Sequence, residues 1–417
     1  MIWKDLLSLG SVWRIKMNKK NKTPRLRFNG FVDEWEQRKL GNILQERNNR
    51  TSDFDNNPLY SLTIENGVTP KTERYERSSL VTKKEDLFKI VKPNEFVTNP
   101  MNLRFGALGY NTNDFDVSVS GYYDVFSIDD DKCSGFWNSY FKTQTAMKIF
   151  DNAATGSLIE KRRVKYSTLQ ELDFYMPIEL DEKIQIGEYM DAISRYISLY
   201  QSRLEKLQNM KKSCLQKMFP RENQETPAVR FTGFTQKWEK RTLGSCFDER
   251  LENMPDGELL SVTIGSGVKK FADLDRHDNS NSDKSKYKKV CVGDIAYNSM
   301  RMWQGASGYS QYEGIVSPAY TVVKPKEGIY SQFFAYMFKT KDVTHLFEIN
   351  SQGLTSDTWN LKYPAFSKII VRVPADINEQ KKIADFLIGL DRMILISQEE
   401  LEMLKRMKKG CLQRMFV

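Results

Sequence analysis

The feature that most restricts this chain is that it is written twice. Pro24-Arg25-Leu26-Arg27-Phe28-Asn29-Gly30-Phe31 returns as Pro227-Ala228-Val229-Arg230-Phe231-Thr232-Gly233-Phe234, and Trp35, Arg38, Leu40 and Gly41 return as Trp238, Arg241, Leu243 and Gly244. Ser61, Thr63, Ile64, Gly67 and Val68 match Ser261, Thr263, Ile264, Gly267 and Val268. Asn99, Met101, Gly106, Gly109 and Tyr110 match Asn298, Met300, Gly305, Gly308 and Tyr309. The offset falls from 203 at the start to 197 between Phe141 and Phe219, which pair with Phe338 and Phe416. A slow drift of this kind is one duplicated unit with small loop deletions. Solenoid repeats, at roughly 20–50 residues, are far shorter.

Each unit opens with short β-rich runs separated by Gly, Asn and Ser. Val117, Val119, Tyr123 and Val125 lie in one such run, and Ile315, Tyr320, Val322 and Val323 in its counterpart. This predicts a small sheet-containing domain with long loops. Each unit closes with Pro177 or Pro374 and a long helical pattern. Ile186, Met190, Ile193, Ile197, Tyr200, Leu204 and Leu207 alternate at spacings of four and three, as do Ile383, Leu387, Leu390, Ile394, Ser397, Leu401 and Leu404. The mean of 3.5 is a coiled-coil seam. A helix of about 36 residues runs about 54 Å, more than one small domain covers, so the two helices are expected to pair with each other. Because both units share one plan, the pair is expected to be antiparallel, and Val417 to end near the start of unit one.

The expected architecture is α+β. A basic leader occupies 1–23. The first loop-rich domain is 24–180, its helix 181–219 and a linker 220–226. The second domain is 227–377 and its helix 378–416. Met17 with Asn18-Lys19-Lys20 reads as a natural start, which would leave residues 1–16 outside the native chain.

Composition excludes several classes. Hydrophobic residues make up 40% and charged residues 28% of the 417, which suits globular domains with real cores. No apolar run approaches the ~20 residues of a membrane helix, and the first residues lack the pattern of a secretory signal. Five cysteines, with no C-x-x-C, argue against a disulfide framework or a cysteine zinc site and for reduced thiols in the cytoplasm. Two histidines, His277 and His345, do not make a histidine metal site. The net charge of +9 is +5 in residues 1–23, zero in 24–219 and +4 in 220–417, so any DNA-binding claim for the body rests on local patches.

Catalytic signatures are missing. No Gly-Lys pair exists for a P-loop. Asn57-Pro58-Leu59-Tyr60 and Asn99-Pro100-Met101 lack the second proline of an amino-methyltransferase loop, and Pro255-Asp256 has no well-placed nuclease partner. Binding features are better developed. Lys161-Arg162-Arg163, Lys269-Lys270 and Lys284-Lys286-Lys288-Lys289 are short basic clusters suited to phosphates, or equally to a solvated surface. Tyr297-Asn298-Ser299-Met300-Arg301-Met302-Trp303-Gln304-Gly305 is more specific, because amides read adenine and arginine reads guanine bidentately. Its counterpart, Thr98-Asn99-Pro100-Met101-Asn102-Leu103-Arg104-Phe105-Gly106, keeps an arginine and two amides before a glycine. Met300, Trp303 and Phe105 carry a competing reading as core residues. Ser351-Gln352-Gly353-Leu354-Thr355-Ser356, equivalent to Thr155-Gly156-Ser157, is a third candidate loop.

At this point the chain resembles a known family. Asp376-Ile377-Asn378-Glu379-Gln380-Lys381-Lys382-Ile383-Ala384-Asp385-Phe386-Leu387 is similar to the opening of the helical region in specificity subunits of Type I restriction–modification enzymes. Glu179-Leu180-Asp181-Glu182-Lys183-Ile184-Gln185-Ile186-Gly187 is a divergent copy, with Lys183 where that family usually has Gln. The paired Arg-Phe-x-Gly-Phe starts and Gly314-Ile315-Val316-Ser317-Pro318-Ala319-Tyr320 fit as well.

The resemblance implies two target-recognition domains, each reading one half of a split, asymmetric double-stranded DNA sequence. The paired helices set the gap and dock two modification subunits that methylate adenine from S-adenosylmethionine. Restriction subunits join to form an ATP-dependent translocating nuclease that needs Mg2+. This subunit would hold no catalytic centre, metal or cofactor of its own and would work in the bacterial cytoplasm. The DNA-contacting candidates are Lys71, Arg74, Asn99, Asn102, Arg104, Gly156, Ser157, Lys161, Arg162 and Arg163 for the first half-site. Those for the second are Lys269, Lys270, Asn298, Arg301, Trp303, Gln304, Gln352, Thr355 and Ser356. The rival readings are a protein scaffold that binds no DNA and a self-contained DNA-modifying enzyme.

Overall fold

A computed structural model describes residues 13–15, 22–71, 88–128, 130–158, 161–221, 223–265, 267–277, 280–355 and 358–417. The leader other than 13–15 and 22–23, together with Arg74 and Ser356, lies outside the described residues. The chain divides into two units, Met1–Gln201 with Glu399–Val417, and Ser202–Gln398. Each boundary falls inside a long helix, so each helix begins in one unit and ends in the other.

Those helices are Leu180–Lys217 and Ile377–Arg414, both of 38 residues. Each starts three residues after its proline and places acidic side chains in its first turn, where the helix dipole favours them. Asp376 caps the second helix by accepting from the Asn378 N–H at 2.8 Å. Along the stripe, Ile186, Met190, Ile193, Ile383, Leu387, Leu390, Leu401 and Leu404 are buried. Ile197, Leu204, Leu207 and Ile394 are half-buried. In the first unit Tyr189 meets Met407; in the second, Lys211 pairs with Asp391 at 2.5 Å. The residue number rises along one helix as it falls along the other, so the coiled coil is antiparallel.

The two units share one strand plan. Unit one has a four-stranded antiparallel sheet in the order Leu108–Tyr110, Phe96–Thr98, Asp124–Ile128, Leu44–Glu46. Unit two repeats it as Ser307–Tyr309, Ile295–Asn298, Tyr320–Pro325, Phe247–Glu249. Each adds a hairpin, Tyr60–Thr63 with Gly67–Pro70 or Leu260–Thr263 with Gly267–Lys270. A two-stranded ribbon closes each unit, Glu36–Lys39 with Asp173–Met176 or Glu239–Thr242 with Ile370–Val373. In both units hairpin and sheet touch backbone to backbone: a Cβ on Gly109 would lie 2.8 Å from the Gly67 Cα, and one on Gly308 2.6 Å from the Gly267 Cα. Only glycine permits that approach, which is why these four recur in the sequence.

The repeated starts have a physical purpose. Arg27 donates to both oxygens of Glu182, at 2.5 and 2.7 Å, and Arg230 to both of Glu379, at 2.6 and 2.7 Å. The indole N–H of Trp35 or Trp238 reaches the same carboxylate. Each unit thus clamps the first turn of its own helix through a desolvated, fully hydrogen-bonded charge pair. The helix ends dock by aromatic packing. Phe416 lies 6.5 Å from Trp35 and 5.6 Å from Phe136 between ring centroids. Phe219 lies 6.3 Å from Trp238 and 5.3 Å from Phe333. Burying one such ring stabilises by about 1.5–3 kcal/mol. The chain therefore ends against the start of unit one, as its repeat predicts.

Candidate nucleic-acid interface

The first candidate loop leaves the sheet at Thr98 or Asn298, makes one 3-10 turn and ends on a left-handed glycine. The turns are Leu103–Phe105, closed by Gly106 at φ 87°, and Met302–Gln304, closed by Gly305 at φ 80°. Leu103 and Met302 point inward as plugs. The amide oxygen of Asn99 accepts the Met101 N–H at 3.1 Å, and that of Asn298 the Met300 N–H at 3.0 Å. These asparagines therefore shape the loop with one end of the amide.

The second loop is a short backbone-bridged excursion in each unit. Thr155 and Arg163 exchange hydrogen bonds of 3.0 and 2.9 Å, and Gln352 and Asn360 bonds of 3.0 and 2.8 Å. Gly156 and Gly353, both at φ 150°, turn so tightly that a Cβ would strike the opposite strand at 2.9 and 2.6 Å. The two loops are tied together. The Val164 N–H reaches the Pro100 carbonyl at 2.9 Å, and the Leu361 N–H the Ser299 carbonyl at 2.8 Å. Candidates some 50 residues apart in sequence thus form one platform per unit.

Side chains on the two platforms differ. In unit one, Arg104 is held by Asp151 at 3.2 Å and lies 4.5 Å over the Phe105 ring. Arg162 donates to the Ala154 and Asp151 carbonyls. Asn102, Ser157, Lys161 and Arg163 are exposed. In unit two, Trp303 packs edge-on against Trp359 at 5.3 Å, while Arg301, Gln304, Gln352 and Thr355 are exposed. The Thr355 N–H and hydroxyl engage Thr358. Lys71 and Lys269 are half-buried by the hairpins, and Lys270 pairs with Glu258 at 2.9 Å while lying 5.5 Å from the Tyr312 ring.

The core reading of three apolar members is corrected in part. Phe105 is 53% and Met300 43% exposed, because each sits on the outer side of its turn while Leu103 and Met302 fill the inside. Trp303 is half-buried. The sequence reading also passed over Asp151, which organises the arginines of unit one, and Trp359, whose only signal was an aromatic ring in a polar Gly-Thr-Ser loop. Leu354 is fully exposed beside Gly353.

Each platform is a rigid array of amides, guanidinium groups and aromatic faces on loops, the chemistry of base and phosphate recognition. Among the described residues no group of three or more His, Cys, Asp or Glu is placed to hold a metal ion, and no helix is long and apolar enough to cross a membrane.

Residues 236–406 match the family model described as Type I restriction modification DNA specificity domain. No curated protein matches the sequence. The fold is similar to the S subunit of a Type I restriction–modification system from M. genitalium, at TM-score 0.60 and 16% identity, covering 95% of this chain and 99% of that one. The HsdS subunit from Thermoanaerobacter tengcongensis aligns at TM-score 0.41 and 14% identity, over 92% of this chain and 96% of its own. The family match lies mostly in unit two, and unit one repeats the same sequence plan.

Proposed function

We propose that the chain reads a bipartite, asymmetric double-stranded DNA target, one half-site per unit, and docks two adenine-methyltransferase subunits and the restriction subunits of its complex. DNA target recognition is the family's role. The two-part target rests on one observation: the loop platforms are built on the same backbone but carry different side chains. Arg104 is tied to Asp151, whereas Arg301 projects into solvent. Unequal readers on equal frames suit unequal half-sites. Equivalent partner docking suits the features that do not vary, namely the Arg–Glu–Trp clamps and the aromatic helix ends.

Catalysis lies in the partners, which would bring S-adenosylmethionine, ATP and Mg2+, and the assembly works in the bacterial cytoplasm. Methylome sequencing of a host carrying only this specificity subunit, with modification subunits, tests the reading. A split motif with two different halves is expected. A continuous motif, or none in cells that contain the assembled complex, would overturn it. Methylation or cleavage by the purified chain alone would revive a self-contained enzyme, and failure of the modification complex to bind DNA would favour a scaffold.

A further inference from the structure

Lys240 and Arg372 stand directly opposite each other in the ribbon that closes unit two. Both line one cavity of about 340 Å3, with Arg221 on its rim. Like charges at opposed positions destabilise a strand pair. The same register position in unit one pairs Gln37 with Tyr175, which carry no such cost. Among the described residues the carboxylates nearby do not balance the charge. Glu225 is bound by Lys237, with Arg372 and Lys240 adding only to the field around it, and Asp342 is the one acidic side chain among the described residues of the lining. His345, also on the lining, is paired with Glu348.

The floor of this cavity is apolar, formed by Phe219, Met337 and Leu346. Its walls include Ile349 and Ile370, left 62% and 56% exposed. Their counterparts in unit one are Asn152 and Asp173. Unit two thus has an apolar trough with three cations at its edge, where unit one is polar and uncharged by lysine or arginine at the matching ribbon pair. Features that serve two equivalent partners are duplicated in this chain; this one is not.

We propose that the trough holds an acidic amphipathic helical segment of a protein partner, bound once per chain. Apolar side chains of that segment would fill the trough, which has room for a few of them, and its carboxylates would meet Arg221, Lys240 and Arg372. DNA is the weaker candidate, because its phosphates offer nothing to Ile349 and Ile370.

The test uses the full chain and a fluorescein-labelled peptide of about 16 residues, long enough to hold a helix, with leucines on one face and glutamates on the other. Fluorescence anisotropy should show one peptide per chain. The double variant Lys240→Gln/Arg372→Tyr, which installs the unit-one pair, should weaken binding by about tenfold or more. Its thermal midpoint should stay level or rise, since the opposed cations are gone. Gln37→Lys/Tyr175→Arg should leave peptide binding unchanged. Equal binding of a scrambled peptide, full binding by the unit-two double variant, a lowered midpoint in that variant, or displacement of the peptide by a short DNA duplex would each overturn the proposal.

Discussion

Arg230 grips Glu379 through two hydrogen bonds of 2.6 and 2.7 Å, while the Trp238 indole donates to the same carboxylate at 3.2 Å. The pair joins the start of unit two to the first turn of its long helix, across 149 residues of chain. Glu379 is buried and Arg230 nearly so. Removing one partner leaves a buried charge with nothing to answer it. Glu379→Ala should therefore destabilise unit two by about 3–5 kcal/mol. Urea unfolding followed by hydrogen exchange should show the loss concentrated around Arg230 and the helix start. A change within 0.5 kcal/mol, the usual range for surface substitutions, would mean that the clamp is ornamental.

Lys142 makes stability depend on pH. Burial, and then the neighbouring Lys408 ammonium, push its pKa down to about 8, against the pull of Asp191. An unfolded lysine titrates near 10.4. Between about pH 8 and about pH 10 this residue therefore binds more protons in the unfolded chain than in the folded one, and its contribution to stability rises with pH. Tyr110 and Tyr336, raised by burial and by their aspartate partners, act in the opposite sense above that window. Cys133 and Cys411, pushed up to about 11 by burial, act in the opposite sense within the window, so the Lys142 contribution is read as the difference in urea midpoint between the native chain and a variant. Lys142→Met should raise the midpoint at neutral pH and make its slope across the window less positive, while Lys183, Lys339 and Lys408, whose pKa values are also lowered by burial, keep their shares. An unchanged slope in the variant would place the titration elsewhere.

The helix ends are interchangeable by design of the repeat. Phe219 packs in unit two as Phe416 packs in unit one, and the preceding Cys214-Leu215-Gln216 and Cys411-Leu412-Gln413 are identical. A chain ending at Phe219 keeps Trp35 and Phe136 but loses Phe416. It should form a two-fold dimer in which each Phe219 fills the partner's vacant place. Sedimentation should give twice the monomer mass. Phe219→Ala should weaken the assembly by about 3–5 kcal/mol per site. A well-folded monomer would show that the aromatic dock is dispensable.

The seam from Ile186 to Leu207 is legible because burial of one helical stripe forces a 3.5-residue period onto the sequence itself. The glycine contacts Gly67–Gly109 and Gly267–Gly308 were visible as repeats, but nothing in the sequence said that they touch. The same holds for Arg27 and Glu182. A buried charge pair leaves no periodic trace when its members are 155 residues apart. Strands of three to five residues, such as Phe96–Thr98, give too few alternations to set their bounds. In the candidate interface, the loops were legible from Gly and Asn. Which arginine stays available was not, because that turns on Asp151, a helix residue with no motif around it.

That difference between the arginines yields the last prediction. Arg301 follows the Asn298 turn and is exposed, and among the described residues no aspartate pairs with it and no aromatic ring lies beneath it as they do for Arg104. Its guanidinium is exposed for a base edge, and a good bidentate contact is worth about 1–3 kcal/mol of discrimination. Arg301→Ala should relax base choice at one position of the second half-site, with the first half-site and the melting temperature unchanged. Arg104→Ala should behave differently. It breaks the 3.2 Å pair with Asp151 and uncovers Phe105, so loop order and stability in unit one should suffer along with reading. Methylome sequencing of hosts carrying each variant, paired with thermal melts of the purified chains, separates the two. If Arg301→Ala weakens methylation evenly at all former sites without relaxing any position, Arg301 meets phosphate and not a base.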